Sequence, residues 1–350
     1  MTQIDSSTPI RQPRVRTFAL GKAVFITPSW QTRKMVFSML LLLVVLFYLT
    51  LSLGREGMDN PFLTTETPYQ EFILLQIRLP RALLAIGAGI ALALSGTLFQ
   101  LTTRNALGSP DIIGINAGAA VGIMAALLIW PGVLPIPLGG LLGAGLAVLL
   151  VYFGNGAGLG RMQTGKIVIS GVAVAAFCMA MVDFAVSNIR IEQAQQIRSL
   201  LIGSLASRGW QDVITISGLI IFTPVLFWLG RQLNYTHFGD DIANTLGVPV
   251  RFIQIVSILL AVIFAAMSVL VVGPVSFIAL SAPQIARRLV HAKGAALFCS
   301  ALVGALLMLL SDLITLILPT PARLPVGLVT AVIGGIYLMY LLYAELRRTR

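Results

Sequence analysis

Ten stretches of this 350-residue chain are apolar, almost free of charge and 17 to 24 residues long. They run at 35–53, 80–102, 111–130, 136–153, 165–187, 211–230, 250–271, 274–290, 295–318 and 325–344. About 20 helical residues, each rising about 1.5 Å, cross a hydrocarbon core of about 30 Å. In lipid the backbone polar groups can be satisfied only within helices or a closed barrel. The pattern therefore predicts an all-α polytopic membrane protein with ten transmembrane helices. Segment 274–290, short and interrupted by Pro283, is expected as an irregular span supported by protein neighbours.

Composition excludes the alternatives. Charged residues make up 11% of the chain and mean hydropathy is +0.92, whereas about a quarter of a water-soluble domain is charged. Cys178 and Cys299 both lie inside apolar runs, which leaves no disulfide framework and no metal-ligand spacing. The net charge of +11 is spread beside the apolar runs instead of forming one patch, so it speaks for membrane orientation and not for nucleic acid. An inside amino terminus puts seventeen of the 24 lysines and arginines on the inner face; both termini are then expected in the cytoplasm. Residues 1–34 read as a basic, loosely ordered cytoplasmic tail. Residues 35–350 read as one transmembrane domain whose first span is retained, since no small-residue cleavage site follows a short apolar core.

Gln76–Gly118 is unusually rich in small residues. Ala85, Gly89 and Ala93 recur every fourth residue, as do Gly114, Gly118 and Gly122. Glycine costs a helix interior about 1 kcal/mol against alanine, but in a bilayer small residues let helix backbones approach closely. The spacing predicts two tightly packed helices joined by a cytoplasmic turn.

Few residues invite chemistry. Gly160–Lys166 has the G-x-x-x-x-G-K spacing of a phosphate loop, yet Ile167 supplies no hydroxyl for Mg²⁺ and the preceding segment is a span, not a strand; the match is read as chance. Asp111, Asp183 and Asp312 are the acidic residues nearest the spans. They fit interfacial positions, with Asp111 capping the third span, better than a membrane-centred relay, so energy for any transport has to come from another subunit. Arg78 and Arg81 share one face at the outer end of the second span, and Arg323 precedes the tenth. They suit either lipid headgroups or the carboxylates of an outside protein. Asn188–Trp210 carries apolar residues at helical spacing and predicts a short surface helix. His237–Arg251 places Asp240 and Asp241 at a helix start, Gly247 at its stop and Pro249 beyond. It is either a capped connector or a docking element on the inner face.

The set RLPR (78–81), SGTLFQ (95–100), RNALGSPDIIGINAGA (104–119), LGVPV (246–250), GPVSFIALSAPQIAR (273–287) and LPVGLVTAVIGGIYLMYLL (324–342) resembles the FecCD-type membrane permeases of ATP-binding-cassette importers for ferric siderophores, haem and cobalamin. The resemblance covers about four-fifths of the chain. It implies a ten-helix subunit of the type II importer class, like the cobalamin importer's permease, paired with a second permease subunit as a homodimer or heterodimer. It also implies an extracytoplasmic binding protein and two cytoplasmic ATPases that hold ATP and Mg²⁺, with no cofactor on this chain and no enzymatic site of its own. Arg78 and Arg81, with Arg323, match arginines that engage the binding protein. Asp240, Asp241, Ala243, Leu246 and Gly247 match the coupling helix that rests on the ATPase, and Thr164–Gly165 matches the cytoplasmic gate. The ferric-catecholate branch fits best. Ala106 in place of proline, Gln284 in place of histidine and Ser276 in place of glycine depart from the pattern. From the residues alone, a self-contained channel or carrier and a membrane scaffold remain the competing functions.

Overall fold

A computed structural model describes residues 17–20, 23–26, 30–54, 57–58, 68–154, 164–206, 208–236, 239–290, 296–318 and 324–348. Its helices are α1 (Trp30–Ser52), α2 (Pro68–Ile73), α3 (Leu79–Thr103), α4 (Ile115–Leu128), α5 (Ile136–Gly154), α6 (Thr164–Ser187), α7 (Ile191–Leu201), α8 (Trp210–Ser217), α9 (Thr223–Thr236), α10 (Asp240–Thr245), α11 (Val250–Val272), α12 (Ile278–Val290), α13 (Leu297–Ile317) and α14 (Val326–Arg348). A helix stands at each of the ten predicted spans. Among the described residues, seven helical stretches have the length and hydropathy to cross a membrane, and α4 and the 326–341 part of α14 are shorter apolar helices. Segment 274–290 is irregular as expected. Gly273 and Phe277 have positive φ, and only Ile278–Val290 is helical.

The predicted tail is more structured than expected. Thr17–Leu20 (β1) pairs antiparallel with Ala23–Ile26 (β2), and α1 starts at Trp30, within the stretch assigned to the tail. Two β-prone runs separated by two residues suit a hairpin, a signal that the basic composition masked.

α3 is the centre of the molecule. Every residue from Ala91 to Leu101 is buried, and a helix apolar on all sides belongs in the middle of its domain. It packs on α11, α12 and α13. The predicted pairing of the second and third spans is not what forms. The stripe on α3 meets other partners, with Gly89 against Gly304 of α13 and Gly96 against the Ala279 carbonyl of α12. The stripe on α4 meets α5 instead, Gly118 against Gly143 and Gly122 against Gly139. Each of these helices has a small-residue partner elsewhere, and the eleven residues between them leave room to reach it. Pro283 has no N–H to offer the carbonyl four residues back. That carbonyl belongs to Ala279, the group on which Gly96 rests.

Asn188–Trp210 contains the predicted surface helix, α7, anchored by Ile197, which is buried with Met124 and Val182. The chain beyond it turns inward. The Ser204 N–H donates to the Val272 carbonyl at 2.8 Å, and Leu205 is buried.

Candidate functional site

The residues singled out from sequence fall at opposite ends of the bundle. At one end α10 is cut to length by its two glycines. Gly239, at φ +106°, precedes it, and Gly247, at φ +79°, ends it. The Val248 N–H donates to the Ala243 carbonyl and the Gly247 N–H to the Asn244 carbonyl, both at 3.0 Å. That double bond pattern is a Schellman stop. α10 packs on α9 and α11 through Ala243, which is fully buried, while Ile242 and Leu246 are more than half exposed and Asp241 is exposed. It is a six-residue helix held from below, with two of its apolar residues turned outward.

At the same end of the bundle, three of the sequence motifs converge in a polar cluster that sequence reasoning missed. The Gln100 side-chain amide donates to the Leu280 carbonyl at 3.0 Å, and Arg287 donates to the Gln100 side-chain oxygen. Gln284 donates to the Ala106 carbonyl, so two of the three departures from the family pattern touch each other. Arg104, left-handed at the end of α3, donates to the Thr236 carbonyl at 3.0 Å. Thr236 is the last residue of α9, four positions before α10. The ends of α3, α9 and α12 are thereby tied together next to the exposed helix. The apolar run around Gln100 was the available signal, since a glutamine in such a run has to find a partner.

Thr164 and Gly165 form the first turn of α6. The phosphate-loop match ends in that turn, with Gly160–Gln163 outside the described residues. Asp111 does not cap α4 through its side chain. It lies in the short 3-10 turn Pro110–Ile113, and its carboxylate accepts from the Asn116 amide at 2.6 Å. Asp183 is exposed on α6.

At the other end of the bundle the two arginines are already engaged. Arg78 closes a π-helical turn, Leu74–Arg78, and donates to the Leu51 carbonyl at 2.8 Å, in the last turn of α1. Arg81 grips Asp312 of α13. Its Nε lies 3.0 and 3.1 Å from the two carboxylate oxygens, and one Nη donates to Oδ1 at 2.8 Å and to the Thr315 hydroxyl at 3.3 Å. The Asp312 side chain is fully buried, whereas that of Arg81 is 17% exposed. Asp312 is therefore an internal partner and not the interfacial residue expected. Arg323 lies outside the described residues. Among the described residues there is no cluster of side chains that could hold a metal ion.

An apolar bundle with a helix at each of ten span-length runs is the architecture of a multi-pass membrane protein. The chain belongs to the FecCD transport family, whose model matches residues 37–344. It is 36% identical over 300 residues to the Fe(3+)-citrate import system permease protein YfmE of Bacillus subtilis, covering 83% of this chain and 86% of that one. It is likewise 36% identical over 281 residues to the ferric enterobactin transport system permease protein FepG of Escherichia coli, covering 79% and 84%. Among solved structures, an inward-facing metal-chelate type ABC transporter superposes with a TM-score of 0.79 at 28% identity, covering 89% of this chain and 99% of that one. The protein is thus a permease of a metal-chelate or siderophore-type ABC importer, embedded in the membrane as part of a complex.

Proposed function

We propose that this chain carries a ferric siderophore across the bacterial cytoplasmic membrane by alternating access, with both termini in the cytoplasm and a second permease subunit completing the pathway. Two ATPase subunits, which hold ATP and Mg²⁺, dock on Asp240–Gly247. An extracytoplasmic binding protein docks on Arg78 and Arg81, with Arg323, and Thr164–Gly165 forms the inner gate of the one domain at 35–350. The chain itself catalyses nothing.

The observation that carries this reading is the exposed α10, ended by its Schellman stop and joined through α9 to the Arg104–Thr236 bond. Force applied to Ile242 and Leu246 reaches α9 and α11 through Ala243, and Arg104 bonds the end of α9 to the end of α3, the central helix. Exposed apolar residues on α6, among them Phe177 and Phe184, and on α14, Val332 and Ile336, offer faces for the second subunit. Relatives named for ferric citrate and ferric enterobactin support an iron chelate as cargo.

The test is to reconstitute the permease with its ATPase and with a cognate extracytoplasmic binding protein. ATP hydrolysis is then followed while iron chelates are offered on that protein. Stimulation by a ferric siderophore supports the proposal; stimulation by haem or cobalamin alone would contradict it.

A further inference from the structure

Arg81 and Asp312 form an ion pair whose two halves differ in their access to water. The guanidinium sits in the first turn of α3 and is partly exposed. The carboxylate is fully enclosed in the next-to-last turn of α13, with Arg81 as its one charged contact among the described residues. The side of the guanidinium formed by Nε and one Nη is one of its two edges that can receive a carboxylate in a fork, and Asp312 occupies it. The remaining hydrogen on that Nη is directed to Thr315. A carboxylate from an outside protein can take this Nε–Nη edge only by displacing Asp312, while the other Nη keeps two N–H groups turned to no partner in that contact.

We propose that Asp312 is a built-in stand-in for the docking carboxylate, and that docking proceeds by exchange at Arg81. This rests on the reading of Arg81 as a docking residue. Before docking, Asp312 neutralises Arg81 and ties the outer end of α3 to α13, above the close approach of Gly89 to Gly304. An acidic side chain of the binding protein then takes the guanidinium fork, and Asp312 is left buried without its counter-charge. Breaking a buried pair by removing one partner is strongly unfavourable. The arrangement that enclosed Asp312 is therefore no longer the stable one, and α13 shifts from α3 until water reaches the carboxylate. The turn that carries Arg81 follows the π-helical stretch Leu74–Arg78, and such single turns inside helices are frequent at functional sites. Trp210 of α8 reaches that stretch, its indole N–H donating to the Leu75 carbonyl at 3.0 Å.

The experiment uses the assembled complex in lipid nanodiscs at moderate salt and measures affinity for the cognate binding protein. Asp312→Asn removes the competitor and is expected to tighten docking about tenfold, the worth of one charge-assisted hydrogen bond. Arg81→Gln is expected to weaken it. Unchanged or weaker docking by a stably assembled Asp312→Asn complex, with Arg81→Gln still defective, would overturn the exchange and leave the docking role standing. Unchanged docking by Arg81→Gln would instead remove the docking role itself. Should Asp312→Asn fail to assemble, spin labels on the outer ends of α3 and α13 in the otherwise native complex decide. Their separation must grow when the binding protein docks, and a constant separation would refute the exchange.

Discussion

Gly96 and Gly145 are both helical glycines, yet the structure gives them opposite roles. A Cβ at Gly96 would fall inside the Ala279 carbonyl, whereas one at Gly145 would meet nothing within 4 Å. Gly96→Ala should therefore lower the stability of the purified protein by about 1–3 kcal/mol or more, the usual cost of overpacking. Gly145→Ala should cost nothing, and thermal unfolding in detergent separates the two; equal melting temperatures would show that α3 and α12 are not in contact there. The four-residue spacing on α3 announced close packing without saying against what, because a small-residue stripe carries no address. Asp312 was harder still to read, since its partner lies 231 positions away and a lone carboxylate near a span's end looks interfacial.

At the scale of the element, α10 was the most legible part of the chain. Paired aspartates, a glycine seven positions on and a proline beyond it are local signals, and the helix boundaries follow from them almost residue for residue. Leu246→Asp alters an exposed side chain, so the permease should fold and assemble with unchanged melting temperature while transport no longer tracks ATP hydrolysis. Normal uptake by this variant would remove α10 from the coupling path. Ala243→Leu places a large side chain where Ala243 is fully buried and should instead loosen α10 from α9 and α11, lowering both stability and coupling. Gly247→Val forces a β-branched residue into left-handed backbone, at a cost of about 1–2 kcal/mol. Faster amide exchange in 240–248 would report it, and unchanged protection would contradict the Schellman stop.

Across the described residues, hydropathy located a helix at each of the ten spans because each is a local run of apolar residues, while α4 and α12 fall short of their runs because the 3-10 turn Pro110–Ile113 and the irregular stretch from Gly273 to Phe277 take up the start of each. The order in which helices pack depends on contacts between distant segments, and so α3 emerged as the central helix only in the structure. Under the proposed function the cargo passes along a smooth path between the spans, and the work of moving it uphill belongs to the ATPase subunits. The most direct measurement is uptake of a ferric siderophore into proteoliposomes, against its gradient, with the purified permease alone or with its ATPases, binding protein and ATP. Accumulation only in the complete, ATP-supplied system is the result expected; uphill accumulation by the permease alone would contradict a conduit driven from outside itself.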